Sequence, residues 1–459
     1  MRRAITTVPV TRRGFLAGTA TMAGAFLAAC GAVPVAAPAD APEAAEPEAK
    51  AAAPEAAEVT EVIWACYNLG EERNKTLGEM EVAANDVLQG ERVTLTITPP
   101  GTNLWEKLQT EFAGGQTTYD IVVNQINWVQ VGAARGTFAS LDEQMARDNI
   151  AREEFLDTAS WLFKNKLYAL PFQVSGELLF YNKAIFDKEG MEHPTPEWTW
   201  DDVISNATKL TVRTGDNTEQ WGYNFGYTGI NVGLGTFMLN NGGQVLNEAR
   251  DRVVYGEDQL AIGGAQVFVD FILKHKIVPW GEERGELRTQ GGGSVMGSGI
   301  AAMDSFHMYP LVNVVGKIGD DLGMTAIPSG PAARTVEVHS NSWSIMGLSK
   351  VPDAAWEVMK VIAGEVGQTL WTTQNYPGLA SVTGEFQKNF PNLDFSPIIE
   401  QWQQHGRDFF ITPDVDAWRK AASAELEPMY TGEKTVPEAM KASADAANAV
   451  LSERPDEFK

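Results

Sequence analysis

Apolar positions along the chain switch between two periods, and the switches mark out alternating strands and helices. Residues 62–66 (Val-Ile-Trp-Ala-Cys) form an unbroken apolar run, which predicts a strand buried on both faces. Val93, Leu95 and Ile97 alternate with Thr94, Thr96 and Thr98, predicting a half-buried strand. The polar, Glu-rich stretch between them, through Asn85, is long enough for a crossover helix. Leu104, Leu108 and Phe112, joined by Trp105, give helical spacing that Gly114 and Gly115 end, and residues 119–123 supply the next strand. This order predicts an α/β body with a mainly parallel sheet, in which ligands sit beyond the carboxyl ends of the strands. The loops there offer Tyr67 and Asn68, then 99–103, then 124–128 (Asn-Gln-Ile-Asn-Trp). Thr199 with Asp202 predicts a capping box at a helix start. Trp356, Met359 and Ala363 predict a helix from Asp353 to Gly364, and residues 414 to about 452 read as two helices broken at Thr431 and Gly432.

The N-terminus changes the setting. Arg2, Arg3, Arg12 and Arg13 precede an apolar stretch, 14–29, too short and small-residued for a membrane span, and no acidic residue occurs before Cys30. Residues 11–16 (Thr-Arg-Arg-Gly-Phe-Leu) resemble the twin-arginine export motif. Residues 27–31 (Leu-Ala-Ala-Cys-Gly) resemble the lipoprotein cleavage box, which would make Cys30 a lipidated N-terminus; the alternative is a signal peptide that merely contains a cysteine. Residues 31–58 hold 13 Ala, 5 Pro and 5 Glu and no aromatic, a composition that cannot form a core and predicts a disordered tether. Residues 1–30 are thus expected to be a twin-arginine-like lipoprotein signal peptide.

Composition narrows the chemistry. Sixty acidic residues against 36 basic ones give a net charge of −24 in 459 residues, which argues against nucleic acid as a partner. Loss of the four leader arginines takes the net charge to −28. Two cysteines exclude a disulfide scaffold, and five histidines scattered singly along the chain leave little material for a metal site, so no metal or other cofactor is expected. Cys66, alone once Cys30 is an anchor, reads as a buried small residue at the end of the first strand, with a catalytic thiol as the alternative. No phosphate-loop, dinucleotide, nucleophile-elbow or zinc-protease motif occurs. Gly291, Gly292 and Gly293 read as a loop, and Asp216 to Glu219 as a turn rather than a calcium loop. The pairs Glu153-Glu154 and Glu282-Glu283 read as solvated surface rather than a glycosidase dyad. What remains is aromatic and amide side chains at strand ends, which suit a cleft for a neutral polar ligand.

Residues 166–172 (Lys-Leu-Tyr-Ala-Leu-Pro-Phe) and 179–186 (Leu-Phe-Tyr-Asn-Lys-Ala-Ile-Phe) resemble a segment of the extracellular solute-binding proteins of ABC importers, in their sugar-binding branch. Residues 195–202, 239–243, 301–303 and 376–380 are similar to further family segments in the family's order; after Met303 the chain departs from it, with His307, Met308 and Tyr309 where the family often has Gly-Pro-Trp. The resemblance implies a two-lobed, type II periplasmic-binding-protein-like α/β fold with a ligand cleft between hinged lobes. It implies lobe 1 at 59–173 plus 325–373 and lobe 2 at 174–324 plus 374–459. Ligand contacts would fall on Asn124, Asn127 and Trp128; on Ser175 with Gln173 and Glu177; and on Tyr309 beside Phe306 and His307, the histidine as a cleft or core residue rather than a metal ligand. Asn68, Tyr227, Asn231, Asn341, Trp343 and Trp418 are further candidates, the tryptophans equally suited to core packing.

The resemblance implies a non-catalytic monomer, lipid-anchored through Cys30 on the outer face of the cytoplasmic membrane, that hands a carbohydrate to ABC permease subunits. Amides and hydroxyls where maltose-binding relatives carry charges favour another neutral sugar or oligosaccharide. The alternatives are a binding protein for a polyol, amino acid, polyamine or iron, a secreted glycoside-processing enzyme, or an adhesin.

Overall fold

The computed structural model describes residues 59–458 apart from 216, 408, 409 and 411; the leader, Cys30, the tether and Asp216 lie outside the described residues. The main sheet is built from β1 (Thr60–Tyr67), β2 (Glu91–Thr98), β3 (Ile121–Gln125), β4 (Leu170–Asn182), β5 (Met303–His307), β6 (Leu322–Thr325), β7 (Val336–Ile345) and β8 (Gly406–Arg407). Its order is β6-β4-β7-β3-β1-β2, with β5 added to β4 and β8 to β7.

The first third folds as its periodicity predicts. β1 runs parallel to β2 and β3, and the connections cross over through α1 (Glu71–Val87) and α2 (Leu104–Ala113). Asn103 starts α2 by accepting from the Glu106 backbone N–H, and Gly115, at φ 72°, turns the chain away after it. The third loop does not exist. β3 passes straight into α3 (Ile126–Arg135), because Ile126, Val129 and Ala133 bury along one helical stripe; Asn127 and Trp128 therefore sit in a first helical turn.

β4 and β7 are the architectural pivot. Leu170 and Phe172 of β4 and Trp343 and Ile345 of β7 belong to one apolar core, which also holds Val62, Trp64 and Val123. A few residues along, Val174, Leu178 and Phe180 of β4 and Val336 of β7 belong to a second core with Phe306 and Trp402. Leu179 joins a third, around Phe225, Phe268 and Trp418. The body is two-lobed because these two antiparallel strands leave one core and enter the others.

Thr199 and Asp202 form the expected capping box on helix Trp200–Leu210, with the Thr199 N–H donating to Asp202 at 2.8 Å. The helix predicted after Asp353 spans Pro352–Ile362. The C-terminal region departs from expectation, with three helices, Val415–Ala424, Glu427–Thr431 and Val436–Ser452, in place of two. Pro428, which lacks an N–H, restarts the chain in the first turn of the middle one, and Gly432 (φ 80°) ends it. Cys66 is fully buried, and that burial pushes its thiol well above the ordinary range, which suits a small apolar core residue. Among the described residues no helix is long and apolar enough to cross a membrane.

Candidate functional site

Strand alternation decides which side chains meet at the pivot. Gln173, Ser175 and Glu177 share one face of β4, while Val174 lies on the other; Glu337, His339 and Asn341 do the same on β7, with Val338 opposite. The register sets Ser175 beside His339 and Gln173 beside Asn341, and Glu177 beside His307 of β5. Gln173, Ser175, His307, His339 and Asn341 of this face floor a cleft of ≈ 510 Å³, whose walls add Tyr67, Asn127, Tyr227, Asn231 and Tyr309; Glu177 and Glu337 are buried and do not line it.

The walls combine rings with unfilled polar groups. Tyr227 lies flat on Phe306, ring centroids 4.7 Å apart, and the buried Phe306 backs it rather than facing the cleft. Burial first, and the charge of Glu337 next, push the Tyr227 hydroxyl up to about 12, so it stays a donor. Tyr309 is covered by the Arg73 guanidinium, 4.2 Å from its centroid, and Arg73 also donates to the Tyr309 carbonyl oxygen. Asn127 Nδ2 donates to Asp416 Oδ2 at 2.6 Å, beside a neighbouring depression that both residues line. Asn231 and Ser175 are each 2% exposed, yet neither the Asn231 amide nor the Ser175 hydroxyl has a side-chain hydrogen-bond partner. Leaving such groups unmatched costs roughly 1–3 kcal/mol each, so they stand ready for a ligand's hydroxyls.

On this face lies a charged cluster that sequence spacing concealed. His339 Nδ1 is 2.9 Å from one Glu337 oxygen and His307 Nε2 is 2.8 Å from the other, with Glu337 fully buried. Burial alone would raise the Glu337 carboxyl; the two imidazoles outweigh it and hold the group well below its ordinary value. Burial opposes charge on His339 too, but Glu337 raises its basicity on balance. Two of the five histidines that read as scattered along the chain meet here, because β5 and β7 both pair with β4. Glu337 and His339 escaped the sequence reading; the two-residue spacing of Glu337, His339 and Asn341 was the signal available.

Eight candidates line the cleft: Asn127, Gln173, Ser175, Tyr227, Asn231, His307, Tyr309 and Asn341. Others are placed elsewhere. Asn124 is buried under the sheet, donating to Ser344 Oγ at 2.9 Å. Glu177 spends its carboxylate inside the fold, accepting from the Gly233 and Glu337 N–H groups and from Thr236 Oγ1. Trp343 stacks on Phe172 at 4.3 Å, and Trp418 is fully buried with Nε1 on Thr412 Oγ1. Trp128 stacks on Trp105 at 5.3 Å, and with Asn68 it edges an adjoining depression of ≈ 360 Å³ that shares Tyr67 and Gln125 with the cleft.

Gly233 makes the Asn231 wall possible. It sits at φ 71° and ψ −95°, and an added Cβ would meet the Tyr227 carbonyl oxygen at 2.1 Å. Gly233→Ala is expected to cost about 3 kcal/mol, combining backbone strain with that clash; denaturant unfolding indistinguishable from wild type would refute the account.

The opposite face of the same strands borders a larger, more apolar cavity of ≈ 640 Å³, lined by Val174, Val338, Trp402 and Asp157 among others. The polar cleft, with its unmatched amide and hydroxyl, is the better candidate for a polar ligand. Burial pushes the Asp157 carboxyl up to about 6 despite hydrogen bonds from Ser160 and Ser340. A raised carboxyl favours the fold while protonated, so its contribution is complete below about pH 4 and is lost as pH rises through about 6. Wild type should lose about 2 kcal/mol relative to Asp157→Asn across that window; parallel stability–pH curves would contradict this.

Comparison with known proteins follows the geometry. A Brucella abortus protein described as a binding protein is 23% identical over 372 residues, covering 76% of this chain and 83% of its own. An ABC substrate-binding protein of Listeria monocytogenes in complex with cycloalternan superposes with a TM-score of 0.74 at 18% identity, over 86% of this chain and 100% of that one. Maltose-bound MalE3 of T. maritima gives 0.70 at 20% identity, over 85% and 100%. A solute-binding protein of Thermotoga lettingae bound with α-D-tagatose gives 0.71 at 18%, over 86% and 100%. The model of the bacterial extracellular solute-binding protein family matches residues 83–369, well over half of the sequence, and the chain belongs to that family.

Proposed function

We propose that the protein captures a carbohydrate, a sugar or oligosaccharide, in this cleft and delivers it to the permease of an ABC importer, without chemistry of its own. The observation that carries the reading is the pairing of Asn231 and Ser175, buried and unmatched, with the rings of Tyr67, Tyr227 and Tyr309 around one polar cavity. Sugars present apolar C–H faces to rings and hydroxyls to fixed amides. The cycloalternan, maltose and tagatose of the superposed structures support the same class of ligand. The adjoining depression beside Trp128 gives room for more than one sugar unit. A glycosidase is less well supported: among the described residues no Asp or Glu lines the cleft, where that chemistry sets two carboxylates across the substrate.

We further propose that residues 59–173 with 325–373 form one lobe and 174–324 with 374–459 the other, that the protein works as a monomer, and that acyl chains on Cys30 with the 31–58 tether hold it outside the cytoplasmic membrane. A thermal-shift panel of mono- and oligosaccharides, polyols, amino acids and iron tests the ligand class. A sugar at 100 times its Kd should stabilise by about 2.7 kcal/mol. A shift with an amino acid, polyamine or iron and with no sugar would overturn the assignment.

A further inference from the structure

His307 ends β5, and Glu337 and His339 are alternate residues of β7; pairing of both strands with β4 gathers them on one face. One donor atom from each lies within 4.8 Å of the other two. His307 Nε2 and Glu337 Oε2 stand 2.8 Å apart, outside hydrogen-bond geometry, so each is a buried polar atom without a hydrogen-bond partner. His307 and His339 both line the cleft, so the cluster lies at the edge of the cavity.

We propose that His307, His339 and Glu337 form a site for a divalent transition-metal ion, with zinc the best match, whose remaining coordination position opens into the cleft. Two imidazole nitrogens and one carboxylate oxygen are a donor set that suits zinc, and three protein ligands leave a fourth position for an outside oxygen. Calcium and magnesium prefer oxygen ligands, and two of the three donors here are imidazole nitrogens. Zn–N distances of about 2.0–2.1 Å set tetrahedral donors about 3.3 Å apart, so the rings must shift by about an ångström, and the cavity beside them leaves space for it. Glu177 accepts from the Glu337 backbone N–H and so fixes the strand position from which the Glu337 side chain projects. An ion here would offer its open position to a hydroxyl or carboxylate of the cleft's ligand. Only that last step rests on the carbohydrate reading; the ion site does not.

Isothermal titration of the purified, EDTA-stripped protein with zinc chloride is expected to give one ion per chain, and magnesium chloride none. His339→Gln and His307→Gln, which keep a hydrogen-bonding group beside Glu337, should each weaken zinc binding at least 100-fold with circular dichroism unchanged. Cobalt substitution should give the intense visible bands of a tetrahedral ion in wild type and lose them in either variant. No stoichiometric zinc binding, or equal binding by the two variants, overturns the site. Sugar-induced thermal shifts measured with zinc and in EDTA separate the two readings: a shift in either condition supports the carbohydrate assignment whatever the zinc titration shows, and none in both overturns that assignment without touching the ion site.

Discussion

Glu337→Gln should cost the metal-free protein about 3 kcal/mol of stability at pH 6, the penalty of removing one partner from a buried ionic cluster. The carboxylate is fully buried and faces an imidazole on each side, with its own N–H held by Glu177. Glutamine keeps the shape but offers one acceptor and no charge, so the imidazoles lose the anion that offsets their burial. The pH dependence distinguishes charge from packing. A carboxyl held below its ordinary value contributes stability that is complete above about pH 4.5 and fades as pH falls through its lowered value. His339, held above its ordinary value, contributes below about pH 6.5 and fades as pH rises. The gap between wild type and variant should therefore be widest between these limits and narrow on either side. A gap that stays constant from pH 3 to 8 would mean that packing, not charge, explains the loss.

This cluster also marks the boundary of what was legible in the sequence. The βαβ order, the capping box at Thr199 and the burial of Cys66 depend on neighbours a few residues away, and local pattern sufficed for them. His307 and Glu337 lie thirty positions apart and meet only through their separate registers on β4, which no local pattern records. The cleft was partly visible, since eight candidates line it, because the family resemblance placed ligand contacts on the segments around the pivot. Trp343 and Trp418 show why the rest was not. A tryptophan serves equally as a platform or as core, and the choice was made by Phe172 beneath the one and by tight helix packing around the other.

Asn231→Leu should move stability and affinity in opposite directions. The native amide is buried with neither of its polar atoms matched, so an apolar group of similar shape should leave the ligand-free protein as stable or stabilise it by up to about 1 kcal/mol. The same change should weaken sugar binding roughly 100-fold, about 2.7 kcal/mol, because ligand hydroxyls would then be buried against methyl groups. Titration calorimetry with whichever sugar gives a thermal shift, alongside denaturant unfolding, reads both quantities. Unchanged affinity would remove Asn231 from the site, and a large loss of stability would make it a structural residue.

Tyr309 and Asn127 line the cleft, and each is held by a partner far away in sequence, Tyr309 by Arg73 and Asn127 by Asp416. The protein itself thus fixes the rotamers of two lining side chains. Ordering such a side chain on binding costs about 0.5–1.5 kcal/mol. That cost is already met within the fold, so part of the affinity of the cleft is stored in contacts that never touch what it holds.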